Sequence, residues 1–240
     1  MAHQISAKIK LVNELLIQKY GIPSRAKKPP EILDLLIATI LSQNTNDKNS
    51  YKAFKNLKDK YPTWQTVAKL DASTIENIIR VAGLGKQKSK AIKSLLNTLI
   101  KERNELSLDY IKKFDNEKAL NELTKFDGIG IKTASCVLLF SLRKNVCPVD
   151  THVHRTTNRI GIVKTTTPNK TFEIINKNIP HGIAHQFHTN LIRLGREICK
   201  PAKPSCSICP LLDICNYKKK YFDKTNLYQE NKFLLLDSIK

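Results

Sequence analysis

The sequence predicts an all-α protein. Apolar residues recur at three- and four-residue spacing through most of its length. No stretch alternates apolar and polar side chains as a half-buried strand does, and no strand–helix–strand rhythm appears. The 240 residues suffice for one large or two small domains, and a composition that is 41% hydrophobic supplies a core.

The elements follow in chain order. Leu11, Leu15 and Leu16 mark an N-terminal helix. Pro29 and Pro30 open a second, with Ile32, Leu35, Leu36, Thr39 and Ile40 at helical spacing; proline suits a helix start, where its missing N–H costs nothing. Tyr51, Phe54 and Leu57 line one side of a lysine-rich helix that stops at Pro62. Ser73 with Glu76 reads as a capping box ahead of Ile75, Ile78 and Ile79. Gly83 and Gly85 break that helix, and another covers residues 87–102. A short amphipathic stretch over 117–126 ends at the turn Asp127-Gly128-Ile129-Gly130, and a helix over 131–143 follows. Asp150 is suited to cap a helix over 151–160. The tail after Cys215 has weak periodicity, and packs partially or stays mobile. No repeat or low-complexity tract interrupts this pattern.

Charge narrows the partner. The formal net charge is +20 and the pI about 9.7. Such a surface concentrates polyanions before any specific contact forms, and nucleic acid is the leading candidate. The lysines are dense at 48–60 and around the last cysteines (Lys200, Lys203, Lys218, Lys219, Lys220) but otherwise spread along the chain, so this is a folded basic protein and not a basic tail. No apolar run approaches a membrane span, which argues against a membrane partner. The basic, amphipathic start lacks the apolar block and cleavage site of a secretory signal, so a cytoplasmic location is expected (with the nucleoid, in a prokaryote). In that reducing compartment cysteines favour metal ligation over disulfides.

Four cysteines, Cys199, Cys206, Cys209 and Cys215, read C-x6-C-x2-C-x5-C. Four thiolates on one short segment suit zinc or an iron–sulfur centre. Zinc sites usually repeat tight C-x2-4-C pairs, whereas here only Cys206 and Cys209 form one; the longer outer loops suit a polynuclear cluster. A zinc knuckle and a disulfide pair are the alternatives. Cys136 and Cys147 sit in apolar surroundings and read as core thiols.

Three further features bear on chemistry. Gly128 and Gly130 permit a tight turn with positive φ and let the backbone approach another molecule. The amides opening the next helix then face outward, where they bind phosphate, unless the glycines serve only a helical hairpin. Lys132 lies in the first turn of that helix. The positive end of the helix dipole disfavours a cation there and favours the neutral amine, a nucleophile able to form a Schiff base. The alternative is a solvated lysine against phosphate. Asp150, in Val149-Asp150-Thr151-His152-Val153, is explained as a helix cap alone, and is also placed to act as an acid beside the lysine.

Together these residues resemble one family. Phe126-Asp127-Gly128-Ile129-Gly130-Ile131-Lys132-Thr133-Ala134 looks like the helix–hairpin–helix of the endonuclease III family of DNA repair glycosylases, and Val149–Val153 follows at that family's separation. The cluster cysteines come next with its spacing. Leu41-Ser42-Gln43-Asn44-Thr45 resembles its glutamine-bearing segment, and Ala82-Gly83-Leu84-Gly85 its wedge loop. The resemblance spans residues 30–215. It departs at Asp127, where the family usually has proline, and at Ile131, commonly basic.

The resemblance implies two helical domains flanking a DNA-binding cleft. One covers residues 24–144, with the hairpin; the other joins 1–23 to 145–240 and carries a [4Fe–4S] cluster in the loop 199–215. Lys132 and Asp150 are then expected to face each other across the cleft. It implies a bifunctional glycosylase and abasic-site lyase acting on oxidised pyrimidines in duplex DNA, working as a monomer. Lys132 is implied as the nucleophile and Asp150 as its assisting carboxylate. Gln43, Leu84 and His152 are implied to fill or wedge the space of the flipped nucleotide, and Cys199, Cys206, Cys209 and Cys215 to hold the cluster. The alternatives are a mismatch thymine or uracil glycosylase on the same scaffold and a non-catalytic, zinc-bearing DNA-binding module.

Overall fold

The computed structural model describes residues 2–222, and among them there is no strand. Eleven α-helices appear among these described residues: α1 (Ala2–Tyr20), α2 (Ile32–Ser42), α3 (Asp47–Lys60), α4 (Trp64–Ala68), α5 (Ala72–Ile79), α6 (Gly85–Arg103), α7 (Asn116–Thr124), α8 (Ile131–Phe140), α9 (Thr151–Ile160), α10 (Pro168–Asn178) and α11 (Ala184–Glu197). Short 3-10 turns lie at Arg80–Ala82, Asp109–Lys113 and Cys206–Ile208. The tail beyond residue 222, for which the sequence predicts partial packing or mobility, lies outside the described residues.

The chain divides into two compact units. Among the described residues, the first unit holds 25–144 and the second holds 2–24 with 145–222. In the first, α2 is buried at every residue from Ile32 to Leu41 except Asp34, as a helix surrounded by neighbours is. It packs on α3, α6 and α8. Helix α8 is likewise buried from Thr133 to Phe140, so its first turn alone reaches the surface. Trp64 Nε1 donates to Asp34 at 2.6 Å, fastening α4 to α2.

In the second unit α11 packs on α1 and α9, and α1 also meets α10. Two side chains fasten α1 to α11 across the length of the sequence: Asn190 donates to Gly21 O at 3.1 Å and Arg193 to Tyr20 O at 3.2 Å. Cys136 and Cys147 are buried, as their apolar surroundings predict.

Packing selects the buried side of two helices, and one cap expectation is corrected. The inward face of α1 is Ile9, Val12 and Leu16, and Leu11 is exposed; apolar residues lie on two sides of this helix, and only tertiary packing selects between them. Tyr51 is also exposed, the buried side of α3 being Ser50, Ala53, Phe54 and Leu57. The cap of α5 is Asp71, not Ser73: its Oδ1 accepts from Thr74 N at 2.6 Å and from Ser73 Oγ at 3.0 Å, since a carboxylate accepts both donors at once.

Candidate functional site

The hairpin between α7 and α8 is built as its glycines suggest, but they do different jobs. Gly128 has φ +76°, and a Cβ there would meet the Ala91 side chain at 3.2 Å, so it makes the turn. Gly130 is extended at φ −90° and needs no special conformation. A Cβ on Gly130 would meet nothing within 4 Å, so what glycine keeps there is open space. This corrects the expectation that both glycines take positive φ. Ile129 between them is buried and anchors the turn. Gly130 is the N-cap of α8 and offers no side-chain acceptor, which leaves the first amides of that helix for an outside anion. Asp127, the departure at this turn, does not cap α8: its Oδ2 accepts from Ser94 Oγ on α6 at 3.0 Å.

Lys132 is the second residue of α8 and half-buried. Its backbone is fixed by a helix buried from the next residue onward, so the amine departs from a rigid base. Gln43, just past the end of α2, lies against the same hairpin. Its Nε2 donates to Gly128 O at 3.2 Å and to Thr133 Oγ1 at 3.4 Å. Leu84 is the N-cap of α6 in the left-handed region, at φ 50° and ψ 35°. An L-residue with a branched side chain is strained in that region, and this leucine is also 50% exposed.

The second unit carries the remaining candidates. Asp150 caps α9 through Oδ1, which accepts from Val153 N at 2.8 Å. That uses one oxygen of a half-buried carboxylate. His152, in the first turn of α9, is also half-buried. Its Nδ1 lies 3.2 Å from Arg155 Nη2, which can only donate, so Nδ1 accepts and Nε2 carries the proton of the neutral ring. Burial lowers the His152 pKa, opposed by Asp150 and aided by Arg155 and Arg196, which favours that neutral form. Gly195 makes room for the ring: a Cβ there would meet His152 Cβ at 2.8 Å.

The four cysteines lie on one loop after α11, all partly buried and none in a disulfide. They are close enough to influence one another's charge. Burial pushes the Cys209 thiol up to about 12 and raises that of Cys199, so a metal bound here would displace protons from thiols. Arg159 Nη1 and the Tyr221 amide each point a donor at a sulfur, Cys199 and Cys206 respectively, both at 3.5 Å. Arg159 also clamps the loop through Lys200 O and Pro201 O, at 2.7 Å each. Among the described residues no three of His, Cys, Asp or Glu converge closely enough to hold a single ion.

Comparison with known proteins places this geometry. The model of the HhH-GPD superfamily of base excision DNA repair proteins matches residues 37–181. Endonuclease III of Thermotoga maritima is 35% identical over 196 residues, covering 82% of this chain and 88% of that one. The chain belongs to the endonuclease III family of DNA glycosylase/AP lyases. An Arabidopsis thaliana protein named as a DNA glycosylase is 40% identical over 191 residues, 75% of this chain; the chain spans 65% of that protein's length. A solved structure of a trapped endonuclease III–DNA covalent intermediate is 28% identical with a TM-score of 0.75, over 88% of this chain and 95% of that one.

Sequence reasoning for an endonuclease III-like chain missed Lys88, Arg155 and Arg159. Lys88 left a signal, because it shares the buried stripe of Ile92, Leu95, Leu96 and Leu99 on α6, and a lysine on an apolar stripe needs a partner. The two arginines left none: they pair with backbone carbonyls, which no side-chain pattern announces.

Proposed function

We propose that this protein excises oxidised pyrimidines from duplex DNA and cleaves abasic sites by β-elimination, through a Schiff base on Lys132. The observation that carries the reading is a lysine in the first turn of a rigid helix that follows a glycine hairpin, in a chain of the endonuclease III family. The glycosidic bond of a stacked base is out of reach, so the damaged nucleotide must leave the helix. Leu84 wedges the duplex, and Gln43 and His152 occupy the space left behind. The Lys132 amine attacks C1′ of the sugar and the base departs with its bonding electrons. Asp150 stabilises the cationic sugar and assists proton transfer. The C1′–O4′ bond then breaks as a proton passes from the nitrogen to the ring oxygen, leaving an imine; a proton leaves C2′ and the 3′ C–O bond breaks, the phosphate departing with its electrons. Water then releases the amine. The protein acts as a monomer on DNA bearing damaged bases or abasic sites.

The test is a panel of duplexes carrying an oxidised pyrimidine, a G·T or a G·U mismatch, treated with purified protein and resolved without alkali. Base release coupled to nicking at the oxidised pyrimidine is expected. Release at the mismatches alone, with no nicking, would identify a thymine or uracil glycosylase; binding with no release would identify a DNA-binding module.

The hairpin has its own test. Gly130→Asp leaves the fold intact, since its Cβ enters open space, but sets a carboxylate where phosphate docks. Affinity for all duplexes should fall together, by roughly tenfold for a negative charge introduced at one phosphate contact. Fluorescence anisotropy at two salt concentrations checks this. An unchanged dissociation constant and salt slope would show the hairpin to be a structural turn only.

The donor set fits a [4Fe–4S] cluster, with Cys199, Cys206, Cys209 and Cys215 as its ligands. Four free thiols on one loop, two of them facing N–H donors, match thiolate ligation. Zinc sites usually repeat tight C-x2-4-C pairs, and here only Cys206 and Cys209 form one. Such a cluster, when bound, ties the loop together and is able to exchange one electron. Anaerobically purified protein should contain about four irons per chain and be brown; one zinc per chain without iron would overturn the assignment.

A further inference from the structure

Lys88 is among the largest fully buried side chains, at 2% exposure, and its partners are two carbonyl oxygens. Its Nζ donates to Leu41 O and to Ala82 O, at 2.8 Å each. Both carbonyls belong to helix ends. Leu41 lies in the last turn of α2, and Ala82 closes the 3-10 turn Arg80–Ala82. Helix ends leave their last carbonyls without intrahelical partners and carry partial negative charge, so one ammonium between two of them satisfies both. Each carbonyl stands two residues before a side chain read as entering the duplex: Leu41 before Gln43, and Ala82 before Leu84. The backbone of Lys88 adds a third tie, its N–H donating to Leu84 O at 3.0 Å.

The placement is costly for a purely structural cross-link. Burial pulls the Lys88 pKa below its ordinary value, so the charged form is held at a desolvation cost that an apolar residue on the same stripe would not incur. What a charged cross-link supplies and an apolar residue does not is a fixed distance between two specific backbone atoms. Those atoms stand two residues from the strained Leu84 and two residues from Gln43 at the exit of α2.

We propose that Lys88 is a positioning residue that sets Gln43 and Leu84 at the mutual spacing needed to enter the duplex together. This rests on the reading of Gln43 and Leu84 as duplex-entering residues, and the test separates the two. Affinity is measured for an undamaged duplex and for one carrying a tetrahydrofuran abasic-site analogue, and their ratio gives lesion discrimination. Gln43→Ala with Leu84→Ala should lower that ratio. Lys88→Met, which keeps length and removes the charge, should lower it roughly tenfold, a coupling of the size found between residues in one network. Added to the Gln43→Ala and Leu84→Ala pair it should lower it no further, because Lys88 acts through those two side chains. A loss that adds in full, or no loss at all, overturns the proposal. If the pair itself leaves discrimination unchanged, the reading of Gln43 and Leu84 is what fails. Should Lys88→Met not fold, Lys88→Gln goes through the same cycle. It keeps a donor but is too short to span both carbonyls, so the same absorbed loss supports the proposal and an additive or absent one overturns it.

Discussion

Replacing Lys132 by Gln should abolish strand cleavage at abasic sites while leaving lesion binding in place. Glutamine keeps a polar side chain of similar length on the same rigid first turn of α8, so the hairpin and the helix behind it are undisturbed. What it loses is the only kind of group that forms an imine with the opened sugar. Loss of a covalent nucleophile costs catalysis roughly 10^4-fold or more, and nicking should fall to background. The check is a single-turnover nicking assay beside an anisotropy titration on the same duplex. Nicking that survives would assign the chemistry to another amine.

Asp150 has the second largest expected effect, and the structure sharpens how to measure it. Its Oδ1 caps α9 at 2.8 Å from Val153 N, so removing the side chain would mix a folding defect with a chemical one. Asn caps a helix about as well as Asp does. Asp150→Asn therefore keeps the cap and removes the charge. Its melting temperature should stay near wild type while base release slows by roughly 10^2- to 10^4-fold, the usual worth of a positioned acid or base. Asp150→Ala should lose both rate and about 1 kcal/mol of stability, the usual worth of an N-cap. If Asp150→Asn retains full rate and Asp150→Ala loses only stability, the carboxylate is a helix cap and nothing more.

Much of the helical pattern was legible because it rests on local chemistry. Thr151–Ile160 begins at a capping aspartate and ends at a glycine, and α2 runs from just after two prolines. Those signals are carried by residues next to the elements they bound. What stays open falls where distant packing decides. Leu11 and Tyr51 sit on helices with apolar residues on more than one side, and the sequence holds no record of which side meets a neighbour. The site was legible to a similar degree. The glycine hairpin and the four-cysteine loop announce themselves by residue type and spacing. The strain at Leu84, the bonds from Gln43 to the hairpin and the ammonium of Lys88 between two carbonyls do not, because they depend on which helix ends meet. Asp127 shows the same point: its departure from the family pattern reads as a weakness in sequence and as a tie to Ser94 in the fold.

Borohydride trapping on an oxidised-pyrimidine duplex tests the central claim most directly, since it reports the substrate and the covalent step at once. Wild-type protein, reduced during turnover, should yield one stable protein–DNA adduct whose modified residue is Lys132 by peptide mass mapping. Release of the base with no trapped adduct would contradict the lysine mechanism and leave a glycosylase that uses water alone.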